Sequence, residues 1–122
     1  MIIAIDFDGT IVENRYPEIG DPIPDAAETI RYLALDGHYI IINTCRSNDD
    51  AIAAVNYLRR ECIPFDAIND NHPEHIEKYG NNCRKIYAHC YIDDKQVGGL
   101  PKWSEIYHYI TKQEAKYRNK NI

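Results

Sequence analysis

Met1-Ile2-Ile3-Ala4-Ile5-Asp6-Phe7-Asp8-Gly9-Thr10 opens the chain, and its reading decides the fold. Five apolar or small residues, partly β-branched, stop at a polar turn, which is the pattern of a short buried strand. Two carboxylates two residues apart follow where the strand ends. Charge at the mouth of a buried strand is costly unless a cation or a hydrogen-bond network is held there. Hard oxygen donors suit Mg²⁺, so a divalent ion is the simplest partner. The plainer alternative is a strand followed by an acidic glycine turn.

Strand and helix signals alternate downstream. Pro24-Asp25 starts a helix with Ala26, Ala27, Ile30, Leu33 and Ala34 on one face, and Gly37 ends it. Tyr39-Ile40-Ile41-Ile42 is a second buried strand, ending at Asn43-Thr44. Ser47 or Asn48 caps the next helix, in which Ile52, Val55 and Leu58 are spaced for burial, and Pro64 breaks it. Residues 65–68 form a third strand before the Asn69-Asp70-Asn71 turn. Pro73 occupies the first turn of a short helix that ends near Gly80. A fourth strand, Cys90-Tyr91-Ile92, runs into Asp93-Asp94. Trp103, Ile106, Tyr107 and Ile110 give the last helix its apolar face, and residues 112–122 read as a polar, frayed tail.

This order predicts a single α/β domain over residues 1–122, a doubly wound, Rossmann-like parallel sheet with helices on both faces. Right-handed crossovers bring the carboxyl ends of the strands to one edge, outside which ligands bind. Asp6, Asp8, Thr44, Asn69, Asp70, Asp93 and Asp94 all fall there. His72 lies near the same edge and is a candidate to touch substrate.

The formal net charge is −5, which argues against a broad nucleic-acid-binding face, since that needs a basic stripe. A phosphorylated substrate stays open, because a bound metal reverses the local field. No apolar run has the length of a membrane span, and no export signal is visible. Cys45, Cys62, Cys83 and Cys90 contain no C-x-x-C pair, which disfavours a zinc ribbon, and none has an arginine six positions on. Free thiols in the cytoplasm are the expectation.

Asp6-Phe7-Asp8-Gly9-Thr10-Ile11-Val12 resembles the first motif of the haloacid dehalogenase-like (HAD) hydrolases, D-x-D-G-T-[LIV]-[VT]. Ile41-Ile42-Asn43-Thr44 resembles the second motif, and Tyr91-Ile92-Asp93-Asp94 the fourth. On these motifs, in this order, the chain is identified as a member of that superfamily. The intervals between motifs hold only a short flap after Thr10 and one short helix after Asn69, so the type implied has no cap domain. Such an open site takes a phosphate on a small molecule or on a macromolecular end, or is covered by a second subunit in a homo-oligomer.

The resemblance implies Mg²⁺-dependent phosphate monoester hydrolysis through an aspartyl-phosphate. Asp6 would be the nucleophile and Asp8 the general acid and base, and an acid at position 8 favours ester hydrolysis over dehalogenation. Asp6, Asp8 (through its carbonyl), Asp93 and Asp94 would hold the metal. Thr44 would donate to a phosphoryl oxygen. Gly9, Thr10 and Asn43 would contact substrate, and Arg46 would offer a forked phosphate contact. Three lysines compete for the third motif. Lys85 is favoured by its place before the acid pair in similar sequences, although eight extended residues span about 26 Å. Lys78 follows the third strand at a helical turn's remove, and Lys95 follows the acids directly. The alternatives are a catalytically weak HAD-like module and a receiver-like regulatory domain.

Overall fold

The structure, a computed structural model, describes residues 1–120. In chain order its elements are β1 (Ile2–Ile5), β2 (Val12–Arg15), β3 (Glu18–Pro22), α1 (Ala26–Leu35), β4 (Tyr39–Ile42), α2 (Asn48–Arg60), β5 (Ala67–Ile68), α3 (Pro73–Tyr79), β6 (Cys90–Ile92) and α4 (Trp103–Lys120). Four strands form a parallel sheet in the order β5-β4-β1-β6. β1 is central and buried on both faces, which is why its sequence is continuously apolar rather than alternating. Its register sets Ile5 opposite Ile42 on one side and Ile92 on the other. The strands therefore end together, and the residues after Ile5, Ile42 and Ile92 emerge at one edge.

The period-2 pleat sorts the core into two layers. Ile3, Ile5, Ile40, Ile42 and Ile92 pack with residues of α1, α2 and α4. Ile2, Ala4 and Ile41 face the other way, against Ile86 and Ala88 of the α3–β6 connection. This second layer is thin: α3 buries no residue fully, and an irregular segment does most of the covering.

The third strand is shorter than expected, Ala67–Ile68, and Ser47 makes no side-chain cap on α2; three larger differences concern the flap, the phase of α2 and the tail. The flap is a two-stranded antiparallel hairpin, β2–β3, with largely exposed strands. Its polar sequence carries no alternation, so no strand is legible there. Helix α2 buries Ala54, Tyr57 and Leu58, while Ile52 is 57% exposed. Tyr57 sets this phase by meeting the Phe7 ring edge-on at 5.9 Å, and Ile52 lies some 200° around the helix from Ala54. The tail expected to fray over 112–122 is helical through Lys120; residues 121–122 lie outside the described residues. Glu114 anchors it, reaching Arg118 one turn on at 2.7 Å and His38 Nε2 at 3.4 Å.

His89 closes the sheet's opposite edge, where its Nδ1 accepts from the Ile2 N–H at 2.8 Å. Burial, then the chain's amino group, then His75 hold its pKa below 6.5. As pH falls the unfolded ring takes up a proton first, so the stability it contributes is present above the unfolded pKa and lost below it. His89→Asn keeps an acceptor but cannot titrate. Its denaturant midpoint is expected to fall less than that of the native chain between about pH 7.5 and about pH 5. Equal falls would show that His89 does not drive the acid sensitivity.

Candidate active site

Asp6 continues β1, its N–H donating to Ile92 O at 2.9 Å. Phe7 turns into the core, and its carbonyl accepts from the amides of Thr10, Ile11 and Val12. That tight loop needs Gly9 at φ +87°, a region L side chains rarely adopt. A Cβ on Gly9 would run into the Asp94 carboxylate. The missing side chain is thus what admits the acid from β6. Trp103 Nε1 donates to Thr10 O at 3.1 Å and pins the loop to α4.

Thr10 is fully buried, so it does not reach substrate as expected. Its Oγ1 lies 3.2 Å from Asp6 Oδ2 and 3.4 Å from Asp94 Oδ1, and accepts from the Asp94 N–H at 3.0 Å. One hydroxyl proton serves two carboxylates. Carboxylate oxygens of Asp6, Asp93 and Asp94 all fall within 4.8 Å of one another. Burial first, then Asp94 and Asp93, push the Asp6 pKa up to about 7. The nearest cation is Lys95, whose Nζ is 3.9 Å from Asp94 Oδ2 on a side chain 78% exposed. Such a pair compensates little. The cluster is short of positive charge, and its all-oxygen donor set fits a hard divalent ion.

Asp6 and Asp93 border an open cleft of about 480 Å³, lined also by Asp8, Thr44, Arg46 and Lys95, with Asn14, Tyr16 and Cys45 at its sides. Thr44 is held by Asn69, which accepts from its N–H at 2.8 Å and donates to its carbonyl at 2.7 Å. Its Oγ1 accepts from Arg46 N at 3.1 Å, which leaves the hydroxyl proton for the cleft.

Several expected residues lie elsewhere. Asn43 extends the ladder to Ile5 O and does not line the cleft. Lys85 sits over the Tyr91 ring at 5.6 Å and lines a separate cavity with His75, Tyr79 and Tyr87, because the chain before β6 runs beneath the sheet's second face. Lys78 lies over Tyr79. Of the three lysines, Lys95 alone lines the cleft. His72 caps α3 through Nδ1 and packs at a tilt against Tyr39, ring centroids 4.4 Å apart, at the start rather than the end of β4. Arg46 is buried against Asp8, not offered to a ligand. The sequence reading missed Tyr16 and Asn14, which the hairpin delivers, and the bracket Asn69 makes around Thr44. Asn69 ends β5 at the same edge, which was the available signal.

Fold and site define an α/β protein with a parallel sheet whose carboxyl edge carries a candidate divalent-metal site. No protein-family model matches the chain, and no curated protein does. A solved structure of a conserved protein from Bacteroides thetaiotaomicron is similar, with 41% identity over 93% of this chain and 91% of that one, at a TM-score of 0.84. The chain belongs to the family of that conserved protein. Among the described residues, no helix is long and apolar enough to cross a membrane.

Two outcomes follow from the Gly9 contact and from the charge balance. Gly9→Ala is expected to lose about 1–3 kcal/mol of unfolding free energy from backbone strain alone. It should also weaken Mg²⁺ binding measured by calorimetry, because Asp94 must move; an unchanged affinity would count against the cluster. The raised Asp6 pKa contributes stability that is lost as pH rises through about 7. Added Mg²⁺ is therefore expected to raise the melting temperature more at about pH 8 than at about pH 5.5, with the increment cut in Asp93→Asn.

Proposed function

We propose that the chain is a Mg²⁺-dependent phosphomonoesterase of the HAD type, on a doubly wound arrangement without a cap. The supporting observation is the convergence of Asp6 and Asp8 from β1, Thr44 from β4 and Asp93 from β6 on one cleft. Asp6, Asp93 and Asp94, with the carbonyl of Asp8, would hold the ion. When bound, it neutralises charge on the transferring phosphoryl group.

The protein's own groups account for the remaining chemistry. The Asp6 carboxylate attacks phosphorus. The bond from phosphorus to the ester oxygen breaks, and that oxygen takes the proton of the Asp8 carboxyl and leaves as an alcohol. Water then attacks the aspartyl-phosphate and gives a proton to the Asp8 carboxylate. The bond from phosphorus to Asp6 breaks, releasing inorganic phosphate and restoring both acids. The Thr44 hydroxyl donates to a phosphoryl oxygen throughout. Lys95, at the rim beside Asp94, serves as the third-motif cation. The open cleft takes a phosphate on a small molecule or on a macromolecular end. Unpaired cysteines fit a reducing compartment such as the cytoplasm.

Hydrolysis of 4-nitrophenyl phosphate with Mg²⁺ tests the reading. Asp6→Asn is expected to lower kcat by at least about 10³-fold, since no covalent intermediate forms without the carboxylate. Turnover that survives this change, or a phosphorylated protein that never releases phosphate, would overturn it.

A further inference from the structure

Arg46 has no hydrogen-bonding capacity left for a ligand. A guanidinium carries five N–H donors, and here each has a partner. Nε donates to Asp8 Oδ2 at 2.7 Å and Nη2 to Asp8 Oδ1 at 2.8 Å. Nη2 also donates to Glu18 O at 2.9 Å, while Nη1 donates to Pro17 O at 3.0 Å and Asp50 O at 3.3 Å. The guanidinium lies between the rings of Phe7, 5.4 Å away, and Tyr16, 5.1 Å away. Tyr16 is fixed in turn by its hydroxyl, which donates to Asp50 Oδ2 at 2.8 Å. One buried side chain thus joins the β1 loop, the turn of the β2–β3 hairpin and the first turn of α2.

We infer that Arg46 is a positioning residue: its fork sets the plane of the Asp8 carboxyl toward the leaving-group oxygen and ties that aim to the hairpin. The inference rests on the phosphatase reading. An aspartate on a glycine loop has two free torsions, and a planar two-point contact removes them. A lysine keeps the charge but offers a point contact without a plane. The two rings wall the fork from water, and the three main-chain carbonyls fix the guanidinium. Asp8 therefore keeps its aim only while the hairpin sits against α2.

Leaving-group dependence separates this role from others. A 4-nitrophenolate departs with little need of a proton, whereas an alkoxide needs one from Asp8. Both substrates share the Asp8-assisted hydrolysis of the aspartyl-phosphate, so the ester-cleavage step is read from kcat/KM: Arg46→Lys is expected to lower it about 10²-fold on glycerol 2-phosphate, against less than about threefold on 4-nitrophenyl phosphate. Asp8→Asn should show the same skew, and the double variant should be no worse than Asp8→Asn alone, as for residues acting as one unit. Tyr16→Ala changes a side chain 57% exposed, so it keeps the experiment decisive if Arg46→Lys does not fold. It should skew the two substrates in the same direction, by less. Equal losses of kcat/KM on both substrates would overturn the inference and leave the phosphatase reading standing. Absence of Asp6-dependent turnover in the native chain would overturn both.

Discussion

Asp94 occupies the space that a side chain on residue 9 would fill, and the site depends on that closeness. β6 and β1 are parallel neighbours, so their ends are near each other in any case. What the glycine adds is a direct approach of backbone to carboxylate. Thr10, the next residue, then spans the gap with a hydroxyl within reach of both acids. Asp93, one residue before Asp94, is left to face the cleft. The loop geometry, the hydroxyl bridge and the cleft-facing acid are consequences of one contact.

The two acids of the opening motif have opposite surroundings. Asp6 is crowded by carboxylates and has only a shared hydroxyl and backbone groups to offset them. Asp8, two residues on, meets a guanidinium at both oxygens. The loop turns between them, so that one faces β6 and the other faces α2 and the hairpin. A divalent ion would complete the first environment, whereas the second is complete within the chain. This division matches a pair of acids with different duties better than two equivalent ligands.

The sheet was legible because its strands are apolar runs stopped by polar turns. β1 and β4 pair in parallel along their whole length, from Ile2 with Tyr39 to Ile5 with Ile42. The acids were legible for the same reason, since a charge directly after a buried strand has few places to go. What failed were properties of side-chain direction. Of Ile52, Val55 and Leu58, which share a helical spacing, Leu58 is buried as expected, while Ile52 faces out because the ring of Tyr57 against Phe7 decides the buried face. Arg46 read as a phosphate fork because its partners, the carbonyls of Pro17, Glu18 and Asp50, leave no trace in residue identity. Lys85 was misplaced because sequence distance to the acid pair says nothing about which face of the sheet the connection crosses. The tail kept its helix through a long-range contact to His38.

The β2–β3 hairpin supplies Tyr16 and Asn14 to the cleft wall but few residues to the core, chiefly Val12. Its strands are exposed, and its turn is tied down mainly through main-chain carbonyls rather than particular side chains. Its exposed residues can therefore be exchanged during evolution without disturbing the sheet, provided Arg46 keeps its carbonyl partners; Gly20, where a Cβ would run into the Glu13 backbone, cannot. The acidic sheet edge and the hairpin wall of the cleft are separately heritable parts of this molecule. In a chain this short, the hairpin is where divergence between relatives can accumulate at little cost to folding.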